Sequence, residues 1–201
     1  MKKSTYIAAL TLALGTVFGS QAQAANAIDT GVPTSTWASL ALDSTDWLAG
    51  LVSFGSDSQI QSISAYLNDL GAGGTFTISL YSDSATHVPG NLINSWNAAF
   101  TTASGASGWN GVANLNQAVS AGDYWIALEV QASDTFSGVA QETPPNPLSG
   151  YAYNAGGYQG YQAMAESFGL QVAAIPEPES LALLLAGLGL IGFIGRRRET
   201  A

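Results

Sequence analysis

The chain is predicted to be all-β, an antiparallel β-sandwich of jelly-roll type, flanked by an N-terminal signal helix and a C-terminal transmembrane helix. Three observations predict the sandwich. Apolar residues recur at alternate positions through the middle of the chain. Clusters of Gly, Asn, Asp, Ser and Pro interrupt them about every ten residues. No stretch of the middle keeps the 3.6-residue apolar period of a helix.

Residues 1–24 read as a secretory signal. Lys2 and Lys3 give a positive start, Ile7 to Phe18 is an apolar run, and Ala22-Gln23-Ala24 supplies the small residues a signal peptidase accepts. Cleavage is expected after Ala24. The apolar run is shorter than the roughly twenty residues that a full membrane span needs, which argues against a retained anchor.

Residues 25–174 are expected to form one domain, large enough to bury a core without staples. Thr75 to Tyr81 alternates, with Phe76, Ile78 and Leu80 on one face. Asp123 to Val130 does the same with Tyr124, Ile126, Leu128 and Val130, and Glu166 to Val172 with Phe168, Leu170 and Val172. Further strands are expected over Leu48 to Phe54, Gln59 to Leu67, Leu92 to Trp96, Gly111 to Leu115 and Thr135 to Ala140. Turns are expected at Asn68 to Gly74, Val88-Pro89-Gly90-Asn91, Ser104 to Gly108 and Ala121-Gly122-Asp123. A two-period apolar face is the mark of half-buried antiparallel strands, and many short ones make a sandwich.

Residues 175–201 have three parts in order. Pro176-Glu177-Pro178 holds the backbone extended. Leu181 to Gly195 is fifteen residues without a charge, and Arg196-Arg197-Arg198 follows. With Ser180 this makes a minimal transmembrane helix over residues 180–195, its arginines on the cytoplasmic side and the domain outside.

All five basic residues lie in the two end segments, against fourteen acidic ones and a net charge of −9. The middle therefore carries eleven carboxyl groups and no Lys or Arg. It has nothing with which to neutralise phosphates, so nucleic-acid binding is excluded. There is no cysteine, hence no disulfide framework and no thiol chemistry.

Catalytic parts are scarce. The single histidine, His87, falls in a hairpin connection, a poor place to hold a general base against a nucleophile. Glycoside hydrolysis needs two carboxyl groups at a set separation. Glu129, Glu142 and Glu166 are candidates, but alternation puts Glu129 and Glu166 on outward faces, as solvated surface acids. No catalytic residue and no cofactor are expected. Calcium is the one metal with candidate ligands, Asp43, Asp46, Asp57 and Asp83, although Asp and Ser in such clusters also serve ordinary turns. Tyr151, Tyr153, Tyr158 and Tyr161 could form a stacking surface for sugar rings. The alternative, which the sequence favours, packs Tyr151, Tyr153 and Tyr161 on the sandwich around a turn at Asn154 to Gly157.

The tail IPEPESLALLLAGLGLIGFIGRRR resembles the PEP-CTERM sorting signal of Gram-negative bacteria. That resemblance implies recognition of Pro176, Glu177 and Pro178 by an exosortase-type enzyme, with transient or permanent anchoring in the inner membrane. It implies release or transfer to the surface in strains that make exopolysaccharide. LYSDSATHVPGNLI, AGDYWIALEV and ESFGLQV resemble the choice-of-anchor β-sandwich domains that often precede such tails. These imply a secreted sandwich with no settled activity. The expected function is a non-enzymatic cell-surface or extracellular-matrix protein associated with exopolysaccharide or biofilm. A carbohydrate-binding module is the alternative, and a secreted glycosidase a more distant one.

Overall fold

The computed structural model describes residues 25–35, 39–156 and 160–176, together with Gly187. The expected signal segment, the apolar tail, Trp37 and Tyr158 lie outside the described residues. Twelve strands are described: β1 Ala25–Asp29, β2 Ser39–Leu42, β3 Asp46–Phe54, β4 Ser58–Asn68, β5 Thr75–Asp83, β6 Pro89–Ala99, β7 Ser107–Val119, β8 Gly122–Glu129, β9 Gly138–Gln141, β10 Tyr151–Ala155, β11 Gln162–Met164 and β12 Leu170–Pro176. They form two antiparallel six-stranded sheets. The first runs β1-β12-β4-β9-β2, with β7 also paired to β4, and the second runs β11-β10-β3-β8-β5-β6. The chain changes sheet at every connection except β1–β2, β5–β6 and β10–β11. Neither sheet can therefore be completed before the other is well advanced.

The core lies between the sheets and is built from the residues that alternation assigns to it. Phe76, Ile78 and Leu80 of β5 and Ile126, Leu128 and Val130 of β8 and its end face Ile60, Ile63, Ala65 and Leu67 of β4 and Leu170, Val172 and Ala174 of β12. Ile60 and Ile63 share this face despite their odd spacing, because a bulge interrupts β4 between Ile60 and Ser62 and resets the alternation. Opposite the bulge, Asn114 and Asn116 of β7 take positive φ of 58° and 61°, which Asn tolerates better than most residues. Phe136, outside any strand, fills one end of the core against Phe76 and Phe100.

All eight expected strands are present, with shifted ends. Val88 to Asn91 is not a turn: the chain reverses at Ser84 to His87, closed by Ser84 N–H to the Val88 carbonyl, and Pro89 already pairs with Asp83. The strand expected from Glu166 starts at Leu170, and Phe168 contributes only an isolated bridge to Glu142. β1 and β2 have no counterpart in the sequence reading, whereas β10 and β11 are the paired strands on either side of the tyrosine-segment turn. β1 and β2 are five and four residues long, too short to display a period.

The β4–β5 turn is organised by one buried acid. Asp69 Oδ1 accepts from Gly71 N at 3.0 Å and Gly105 N at 2.7 Å, and Oδ2 accepts from Gly73 N at 2.8 Å. Burial pushes the carboxyl up, but the backbone donors of Gly71, Gly105 and Gly73 outweigh it, and the group ends below its ordinary value of 3.8. Its contribution to stability is therefore complete above that value and is lost as pH falls through the lower, folded value. Asp69→Asn should lower the melting temperature at pH 7, and melts repeated toward pH 2 should show the gap to the parent closing. A gap that stays constant with pH would contradict this assignment.

Candidate functional site

Two regions combine chemistry with unusual placement: the junction of the domain with its tail, and the outer face of the second sheet. At the junction, β12 is not an edge strand. It lies between β1 and β4, with Ala174 aligned to Ala25 on one side and Ile60 on the other. The pairing continues to Ile175 with Gln59 and Pro176 with Ser58. Pro176 is both the first proline of the tail motif and the last residue of β12. A proline is tolerated there because a strand's terminal position can forgo the missing N–H. Glu177, Pro178, Arg196, Arg197 and Arg198, with Ala22 and Ala24, lie outside the described residues. Among the described residues no helix is long and apolar enough to cross a membrane.

The outer face of the second sheet corrects the expectation for Glu129. This residue does point away from the core, but it is fully buried. Its Oε1 accepts from Tyr81 OH at 2.7 Å and Tyr161 OH at 2.8 Å. Its Oε2 accepts from Ser79 Oγ at 2.9 Å and Gln131 Nε2 at 2.8 Å. Ala49, Trp125, Ala127 and Ala152 form a second small core on this face, roofed by Leu51, Tyr81 and Tyr161. The rings of Tyr81 and Tyr161 meet edge to face, 6.0 Å apart. The small alanines leave room for these rings, which close over the carboxyl group. A sequence signal did exist: Trp125, Ala127 and Leu51 are apolar at outward positions, as in strands covered on both faces.

Farther along the same face, Asp83 Oδ1 accepts from Trp125 Nε1 at 2.7 Å, and Oδ2 lies 2.8 Å from His87 Nδ1. Burial pushes the Asp83 carboxyl up, while the Trp125 and His87 hydrogen bonds bring it below its ordinary value. His87 itself is 79% exposed and has positive φ, at the tip of the β5–β6 hairpin.

The remaining candidates separate. Tyr151 is buried in the main core, its hydroxyl accepting from Leu148 N and donating to the Phe168 carbonyl, so it is not available for stacking. Tyr161 is committed to Glu129. Tyr153 is 36% exposed and lines a cleft of about 310 Å3 with Asp46, Trp47, Met164 and Glu166, where the edges of the two sheets part. Of the calcium candidates, Asp43 and Asp46 meet through the Thr45 hydroxyl, and Asp57 and Asp83 are engaged elsewhere. Asp43 Oδ1 accepts from Thr45 N and Oγ1 and from Asp46 N, closing a turn. Asp57 accepts from Ala121 N, and Asp83 is engaged as above. Among the described residues no three His, Asp or Glu side chains group as a metal site would need.

Burial, then the hydrogen bond and charge of Glu129, raise the Tyr81 phenol well above 10. Burial and the Glu129 charge raise Tyr161 likewise. Because the folded values exceed the unfolded one, the stability they carry is present below about pH 10 and lost as pH rises through the folded values. In Glu129→Gln, tyrosinate absorbance should therefore develop at lower pH than in the parent. An unchanged titration would separate Glu129 from both phenols. Tyr161→Phe should cost about 1 kcal/mol in urea unfolding.

No curated protein matches the chain. From the end of β12 onward the residues have a family match, which implies export, membrane anchoring before sorting, and processing by an exosortase-type enzyme. The chain carries, over residues 174–198, a PEP-CTERM protein-sorting motif.

Proposed function

We propose that this is an exported, non-enzymatic protein of the cell surface or extracellular matrix, associated with exopolysaccharide or biofilm, whose β-sandwich is the cargo of its sorting tail. The observation that carries this reading is the placement of the PEP-CTERM motif directly on the last strand of a single sandwich. Every part of the chain then serves delivery or the delivered domain. The non-enzymatic part is supported by the state of the candidate groups. The only histidine sits on an exposed hairpin tip, and all four donor contacts of Glu129 are used internally. A domain without Lys or Arg also suits a secreted protein that must stay soluble.

Fractionating cells with and without the sorting enzyme tests this. With the enzyme, the domain should be recovered at the surface or in the matrix without Arg196 to Arg198. Without it, the full tail should remain with the membrane. The same location and mass in both strains would refute the reading.

A second reading, a carbohydrate-binding module, is supported by the cleft of Tyr153, Trp47, Asp46 and Glu166. An exposed phenol ring offers a stacking face, and carboxylates accept sugar hydroxyls. If the host exopolysaccharide binds there, Tyr153→Ala should weaken binding about tenfold, the equivalent of 1.4 kcal/mol. Loss of binding in Tyr161→Phe but not Tyr153→Ala would move the site elsewhere. Polysaccharide cleavage abolished by Glu166→Gln would instead favour the glycosidase.

A further inference from the structure

From the edge formed by β6 and β7 we infer that this chain associates with a second copy of itself, across a two-fold axis along that edge. The inference concerns the domain alone and stands apart from the sorting reading. β6 ends the second sheet, and among the described residues it pairs only with β5. β7 lies on the side of β4 away from β12 and β9, and among the described residues it pairs only with β4. Asn94 Nδ2 donates to Gln117 Oε1 at 2.8 Å, which ties the two edge strands into one face. Proteins blunt a lone strand edge with charges, prolines or bulges, because its backbone groups and apolar side chains invite another chain. Here residues 88–122, which hold both strands, contain no charged residue, and Pro89 stands only at the first position of β6. A bulge is present, but it does not hide the edge. Leu80 aligns with Asn94 and Tyr81 with Leu92, so Ile93 is left without a partner on β5. Gly90 to Ser95 are all exposed, and two adjacent apolar side chains stand in water, Leu92 at 55% and Ile93 at 44% exposure. Asn94 Oδ1 accepts from Ser95 N–H, and Gln117 Nε2 donates to the Ala118 carbonyl, so part of the backbone edge is already met. The contact is therefore made by side chains around Leu92 and Ile93 more than by an added ladder.

Charge identifies the occupant. The rest of the domain carries eleven carboxyl groups and no Lys or Arg. A cationic partner is drawn to those acidic faces, and a polyanion is repelled by them. Two copies repel one another through the same faces and approach most closely where the uncharged edges meet. That edge is also its own complement. Amide side chains donate and accept alike, and an apolar pair matches itself, as an isologous interface requires of one patch facing its own copy. An axis beside Ile93 sets the two Ile93 side chains against each other. β6 is 11 residues long, about 36 Å, and packed sheets lie about 10 Å apart, so the face is of the order of 400 Å2 per copy. A stable interface takes about 800 Å2 per partner, so this dimer is weak and fills where copies are crowded.

The chain has no cysteine, so a single introduced one reports on this face without background. In the full chain in detergent, Ile93→Cys should give a disulfide-linked dimer under mild oxidation. Val32→Cys, at a comparably exposed position in the β1–β2 connection, should stay monomeric. Sedimentation of the unmodified chain should show a dimer that tightens about threefold as salt rises from about 0.05 M to about 0.5 M, because screening removes like-charge repulsion. Ile93→Glu should abolish that dimer and leave the melting temperature unchanged. If Ile93→Glu does not fold, the cross-linking comparison alone decides. Equal cross-linking at positions 32 and 93 overturns the inference, as does a dimer that persists in Ile93→Glu or loosens with salt. A chain that stays monomeric at every concentration overturns it too. So does an Ile93→Cys thiol shielded from maleimide only when exopolysaccharide is added, which would make a glycan the occupant.

Discussion

Between Lys3 and Arg196 no side chain carries a fixed positive charge, so every carboxyl group that folding removes from water must be met by neutral donors. Burying an acid without partners costs far more than a domain of this size has in reserve. Three solutions recur. Asp69 collects backbone N–H groups from glycines of two different loops. Asp134 takes the Thr77 hydroxyl, the Asn97 amide and the Gln131 N–H. Glu129 is satisfied by two phenols, a serine and a glutamine. Among the described residues, no buried side-chain nitrogen or oxygen is left without a partner. Acids that in other proteins would pair with Arg here serve as nodes joining loops and strands distant in sequence.

That economy shapes the second sheet. Its outer face would be half-exposed in a simple sandwich, yet the Tyr161 ring returns over it and fixes itself to Glu129 and Tyr81. The sheet thereby gains a thin second core, and β10 and β11 are held at its edge. The first sheet is closed differently. Among the described residues its N-terminal strand pairs only with β12, so the two ends of the domain are zipped together beside the start of the sorting motif. A chain that emerges in order completes this sheet only when its last strand is out.

How much of this was legible can be judged on particular residues. Phe76, Ile78 and Leu80, or Ile126 and Leu128, could be assigned inward from alternation alone, because a half-buried strand repeats its environment every second residue. The same argument failed for Glu129. Alternation tells which residues share a face, not whether another part of the chain covers that face. Tyr161 lies 32 residues away, and no local pattern announces that it will come back. The tyrosine segment was ambiguous for the same reason: Tyr151, Tyr153 and Tyr161 end respectively in the core, at a cleft and over a carboxyl group.

The sequence by itself determined the sorting motif, the sandwich class and the residue types the domain lacks, since these depend on residue types and short-range order: Pro-Glu-Pro before an apolar run and arginines, period-two strands, no Lys, Arg or Cys in the domain. Only the tertiary structure decided that Pro176 ends a central strand, that Glu129 is buried and satisfied, and that Tyr153 alone of the described tyrosine candidates faces a cleft with free space. Each of these depends on pairing between segments far apart in the chain. Local propensity specifies a strand's faces, whereas its neighbours are selected by the whole set of strands competing to bury those faces at once.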